Sequence, residues 1–202
     1  MVALRLTGNR QGPLSMSKIS EILDFWFLPE DHPDHGENRP EWFQKNEAFD
    51  QEIRDRFLDD FEKAVNGDYL SWATSMNGCL ALILLFDQFS RNMFRDSPKA
   101  FSADAKAREI ARHMIREGYS QGLPAFKRNF AILPFEHSED LSDQEYSVAL
   151  FREFSDESSI DFAVRHLEII KRFGRFPHRN QTLGRSSTPE EADFLQQPNS
   201  SF

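Results

Sequence analysis

Three stretches of this sequence concentrate side chains that can hold charge or move protons. "RFGRFPHRN", residues 172–180, carries Arg172, Arg175, His178, Arg179 and Asn180 around one Gly and one Pro. Arginine forks meet carboxylates or phosphates through paired hydrogen bonds, so this segment reads as an anion grip. "PFEHSED", residues 134–140, sets Glu136 and Glu139 around His137. A carboxylate beside an imidazole can do general acid–base work, and Glu136 with His137 or His178 are the candidates for moving protons. The bland reading of the same residues is an N-cap, Ser138, with acids in the first turn of the next helix. "DQFSRNMFR", residues 87–95, supplies Asp87, Gln88, Arg91, Asn92 and Arg95. Asp87 and Arg91 are spaced i, i+4 with the acid first, the favourable order on a helix. Asp87 follows the apolar run "CLALILLF" directly, and a buried carboxylate is costly without a partner, so Asp87 is expected to be paired.

The candidates taken from these stretches are five arginines, Arg91, Arg95, Arg172, Arg175 and Arg179, against three carboxylates, Asp87, Glu136 and Glu139. If they converge, guanidinium is left over for an anion. Gln88, Asn92 and Asn180 would then orient polar groups of a small carboxylate- or phosphate-bearing ligand, with Asp87 and Glu139 also among the ligand-binding residues. The alternatives are a binding module that clamps an acidic peptide or protein partner, and an ion-pair network with a purely structural role. No Gly-rich phosphate loop, G-x-S-x-G elbow or paired-Cys zinc spacing selects a reaction, a cofactor or a metal. His32 and His35 lie in a Pro-rich polar loop and read as solvent-exposed loop residues. His166 aligns with Phe162, Ile169 and Phe173 and reads as a core histidine.

The elements that must position these residues are helical throughout. Ile19, Ile22, Leu23 and Trp26 fall at i, i+3, i+4, i+7, and no segment alternates as a strand. A long helix is expected from about Pro40 to Asn66, stopped by Gly67, and another from about Ser75 to Phe94. Ser97–Pro98 opens a third that Gly118 closes. Shorter helices follow at about Leu123–Leu133, ended by Pro134, then Leu141–Phe154 and Ser158–Phe173. Gly174 takes a left-handed conformation and Pro177 prevents the helix from resuming, which makes a stiff corner. "STPEEADFL" begins a last helix with a capping box, Thr188 to Glu191. The result is an all-α fold of antiparallel helix pairs. Residues 1–15 read as a disordered N-terminal extension, and residues 16–202 as one domain.

A net charge of −9 argues against nucleic acid and anionic membranes as partners. The single cysteine, Cys79, excludes an internal disulfide and fits a reduced, cytosolic compartment. No apolar run approaches the ~18 residues of a membrane span. The aromatic content leaves room for a homodimer, although no heptad seam directs one.

The order of the dense motifs "LFDQFSRNMFR", "LPFEHSED", "RFGRFPHRN" and "LGRSSTPEE", preceded by "ILDFWF" and "EWF", resembles the bacterial proteins grouped as domain of unknown function 924. The resemblance runs from about Ile19 to Leu195. It implies a tetratricopeptide-like α-α superhelix and brings no activity with it. Ser90 stands where the family pattern suggests Pro, which leaves the charged residues untouched.

Overall fold

The structure, a computed structural model, describes residues 13–198 and 200–201. It is all-helical, as the sequence periodicity indicates. The disordered extension expected over residues 1–15 falls mostly on residues 1–12, outside the described residues, and helix α1 (Pro13–Phe27) takes in Pro13. Its stripe of Ile19, Ile22, Leu23 and Trp26 is buried.

The helix expected from Pro40 to Asn66 is broken. A 3-10 turn covers Pro40–Trp42, and α2 runs Glu47–Asn66. The cause is Asn46, whose side chain accepts from the N–H groups of Ala48 and Phe49 (both 3.1 Å) and starts a fresh helix. Helix α3 (Met76–Ile83) passes through a π-helical segment, Leu84–Phe89, into α4 (Ser90–Met93). The region opened by Ser97 begins as a 3-10 turn, Pro98–Phe101, before α5 (Asp104–Arg116).

Helix α6 (Ala125–Glu136) contains Pro134 instead of ending at it. A proline one turn from the end removes a single backbone donor. The turn beyond it is closed by His137 N–H to Leu133 O (2.9 Å) and Ser138 N–H to Phe135 O (3.1 Å). Helices α7 (Leu141–Phe154) and α8 (Glu157–Phe173) follow. Gly67 (φ 93°) and Gly174 (φ 68°) end α2 and α8 in the left-handed region that favours glycine. A 3-10 turn, Pro177–Arg179, and α9 (Pro189–Leu195) complete the chain, α9 opening with the expected capping box.

Helix α6 packs on α7 and α7 on α8, through connections short enough that each pair must run antiparallel. The main aromatic core draws on α1 to α8. A smaller apolar cluster, Ile169, Ile170 and Phe176 with Phe173 and Phe194, lies under the C-terminal segment. Among the described residues, no helix is long and apolar enough to cross a membrane.

Candidate functional site

The π-helical segment places Asp87 on the interior side of the α3–α4 run, with no exposed surface. A π-turn adds a residue to the helical turn and often marks a site where a side chain must be re-aimed. Asp87 meets three partners. Gln88 Nε2 donates to it at 2.5 Å, Arg91 Nη1 lies 3.1 Å from Oδ1, and His137 Nδ1 is 2.8 and 3.0 Å from its two oxygens. A carboxylate can only accept here, so the Asp87 contact puts the His137 proton on Nδ1 and leaves Nε2 bare. Burial pushes the Asp87 carboxyl up, but Arg91 and His137 outweigh it and hold the group below the usual range. For His137, burial is the largest effect and lowers the pKa, Asp87 opposes it, and the charges of Arg91 and Arg179 add to the lowering, so the ring is neutral near pH 7.

Glu136, the last residue of α6, is buried beside this pair. Its Oε1 is 3.4 Å from His166 Nδ1, which donates to Phe162 O at 2.9 Å, and its Oε2 has no hydrogen-bond partner. A carboxylate in such a place is disfavoured. Burial, with the charge of Asp87 adding to it, pushes Glu136 up to about 8. Glu136 is therefore a neutral carboxylic acid at pH 7, next to a negatively charged Asp87. Burial also lowers His166 to about 3 and His178 to about 4, the positive charge of Arg179 adding to the shift at His178.

Two arginines face the cluster and differ sharply. Arg91 holds both oxygens of Asp104, the first residue of α5, at 3.0 and 3.1 Å, in addition to Asp87. Arg179 is 7 % exposed, yet its nearest carboxylate oxygen, on the same Asp104, is 4.0 Å away. Its Nη1 donates to the carbonyl oxygen of His137 (3.0 Å), and its Nε has no partner. The rings of Phe101 and Phe176 lie over the guanidinium, with centroids 4.8 and 4.4 Å from its central carbon. Burial lowers the Arg179 pKa to about 10, and the charge of Arg91 adds to the effect. The group stays cationic at pH 7.

The remaining candidates go elsewhere. Glu139 accepts from Arg185 Nη1 and Nη2 (2.7 and 2.9 Å) and from the Phe176 N–H (2.8 Å). Burial alone would raise Glu139, but these donors hold it low. Arg185 also donates to Asn180 Oδ1 (3.0 Å), and Asn180 Nδ2 lies 3.3 Å from Glu191 Oε2. Arg175, partly exposed, grips Glu191 at 2.6 and 2.8 Å and donates to Ser186 O at 2.9 Å. Arg172 pairs on the surface with Glu190. Asn92 and Arg95 turn the other way, to Asp50 of α2, with Asn92 Nδ2 at 2.7 Å and Arg95 Nη2 at 2.9 Å. The arginine surplus expected from the three stretches thus shrinks, because Asp50, Asp104, Glu190 and Glu191 act as partners that those stretches did not contain. Ser138 is not the N-cap of α7. Asp140 is, and Ser138 Oγ donates to Asp143 (2.8 Å). In the Pro-rich loop His32 is exposed, whereas His35 is half-buried with Nδ1 donating to Leu28 O (2.7 Å).

Among the described residues, no group of three His, Cys, Asp or Glu side chains is arranged to hold a metal ion. A surface depression of about 290 Å³ is lined by Phe61, Glu62, Val65, Asn66, Lys99 and Ser102, none of them in the cluster. The cluster is a mostly buried polar interior, with Arg91, Asp104, Phe101, His137 and His178 at its partly exposed rim.

Comparison with known proteins agrees with this architecture. A solved structure described as a protein of unknown function from Agrobacterium tumefaciens is 37% identical and superimposes with a TM-score of 0.81. The match covers 90% of this chain and 98% of that one. No curated protein matches. The family described as bacterial protein of unknown function, DUF924, matches residues 22–199. The chain belongs to the DUF924 family.

Proposed function

We propose that the chain binds a small anionic molecule at Arg179, and that Asp87, His137 and Glu136 equip the site to move a proton on it. The observation that carries this reading is the state of Arg179. It is a cation more than nine-tenths buried whose ion pair with Asp104 is stretched to 4.0 Å and whose Nε is orphaned, while Arg91 beside it holds Asp87 and Asp104 at 3.1 and 3.0 Å. Burying a charge whose ion pair is this loose and whose N–H groups are incompletely bonded is costly, and such an arrangement is expected where a ligand completes it. The proton chemistry follows from the neighbours. His137, oriented by Asp87 through Nδ1, offers Nε2 as a base, and Glu136 holds a proton it can donate. Glu139, Arg175, Arg185 and Asn180 support a structural role instead, fastening the C-terminal segment through complete pairs, and Arg172 makes only an exposed pair with Glu190.

A thermal-shift series with carboxylates and phosphates tests the reading. A dose-dependent rise in Tm that vanishes in Arg179→Met and survives in Arg172→Ala is expected. An equal rise in wild type and Arg179→Met would place the anion elsewhere, and no rise for any compound would remove the site.

A further inference from the structure

Three features of the same cluster narrow the ligand. The first is the edge that Arg179 still offers. Nη1 is committed to the His137 carbonyl oxygen, and the orphaned Nε belongs to the opposite edge, Nε with Nη2. Two parallel N–H groups in one plane fit the two oxygens of a carboxylate. The second is charge. Asp87, Asp104 and Glu139 are matched in number by Arg91, Arg179 and Arg185. Glu136, buried without a cation beside it, is neutral, as is His137. An arriving anion therefore adds uncompensated charge to a low-dielectric interior. A single negative charge can be cancelled by one proton on His137 Nε2, whose ring already leans on Asp87. A dianion cannot be cancelled that way, and burying the excess is costly. The third is the wall. Phe101, at the partly exposed rim, lies over Arg91 (5.6 Å) as well as Arg179, and the Phe176 ring stands 5.6 Å from both His166 and His178.

We infer that the site takes a monocarboxylate with an apolar, preferably aromatic, body, bound together with one proton taken from solvent. The inference rests on the anion-site reading above. The carboxylate would meet the Nε–Nη2 edge, and the body would pack on Phe101, which separates this ligand class from phosphate esters and from small hydrophilic acids.

Calorimetric titration of the full chain with phenylacetate, acetate and phenyl phosphate at pH 7.5 tests it, because phenyl phosphate carries the same ring on a group that is mostly dianionic there. Phenylacetate is expected to bind at least tenfold tighter than either of the others. Repeating the titration in buffers of different ionisation enthalpy should show uptake of about one proton. Arg179→Met should abolish binding, and Phe101→Ala should weaken phenylacetate by a larger factor than acetate. Arg179-dependent binding in which phenyl phosphate equals or exceeds phenylacetate would overturn the monocarboxylate assignment and leave the anion site standing. Acetate as tight as phenylacetate would overturn the apolar body. No proton uptake would overturn the charge argument. No Arg179-dependent binding of any of the three would overturn the anion site itself.

Discussion

The C-terminal clamp and the histidine cluster are built from the same residue types, yet they match their charges differently. In the clamp, Glu139 with Arg185 and Glu191 with Arg175 are bidentate pairs near the surface, each arginine facing its own carboxylate. In the cluster, two buried or half-buried carboxylates converge on Arg91, a third carboxyl is kept neutral, and Arg179 is left at 4.0 Å from a shared oxygen. Arginines next to acids in a sequence therefore say little about purpose. The pairing pattern and the burial separate a fastening from a site that still has capacity.

The largest effect expected from this contrast is at Asp87. Asp87→Asn removes the charge that the Arg91 and His137 contacts require, and should cost about 3–5 kcal/mol in urea denaturation. A loss near zero would mean that the cluster is not held by its central carboxylate.

Glu136 should behave in the opposite sense. In the unfolded chain it ionises near 4.5, and in the fold near 8. Its contribution is thus fully present below pH 4.5 and lost as pH rises toward and through 8. Glu136→Gln should raise stability at pH 8 by on the order of 1–3 kcal/mol and flatten the decline between pH 5 and 8. The imidazoles pull the other way. His166 and His178 have folded values of about 3 and 4, below the ordinary 6.5. Their stabilisation is full above pH 6.5 and is lost as pH falls toward 4. A wild-type stability profile by denaturation should therefore peak between about pH 6 and 7, and its alkaline side should level off in Glu136→Gln. An unchanged alkaline side would show Glu136 ionised in the fold.

The clamp should give smaller effects. Arg185→Met, which breaks bonds to Glu139, Asn180 and Phe176 O, should cost about 1–2 kcal/mol by thermal denaturation. Arg172→Ala, on the exposed pair with Glu190, should change stability by less than about 0.5 kcal/mol. Equal effects at Arg172 and Arg185 would remove the distinction between a surface contact and a fastening.

How much of this was legible in the sequence depended on the range of the interaction. The α1 stripe, the left-handed Gly174 and the Thr188–Glu191 capping box involve residues a few positions apart, and their physics is local. The Asp87–His137 pair spans 50 positions, so the chain offers each half without the other. Asp104 reads as an ordinary acid near a helix start, yet it is the second carboxylate on Arg91. Glu191 is disguised by doing two jobs: it closes the capping box, accepting from the Thr188 N–H (2.7 Å), and it also grips Arg175. The 3-10 openings at Pro40 and Pro98 were hidden because a proline at a first helical position reads the same whether a 3-10 turn or an α-helix follows. Pro134 was misread because a proline in the last turn costs too little to end a helix.

The most direct test is urea denaturation of Arg179→Met against wild type at pH 7.5 without added anions. If Arg179 is a loosely paired, incompletely bonded cation kept for a ligand, the variant should be as stable as wild type or more so. A loss of 3 kcal/mol or more would place Arg179 in the structural network and contradict the account.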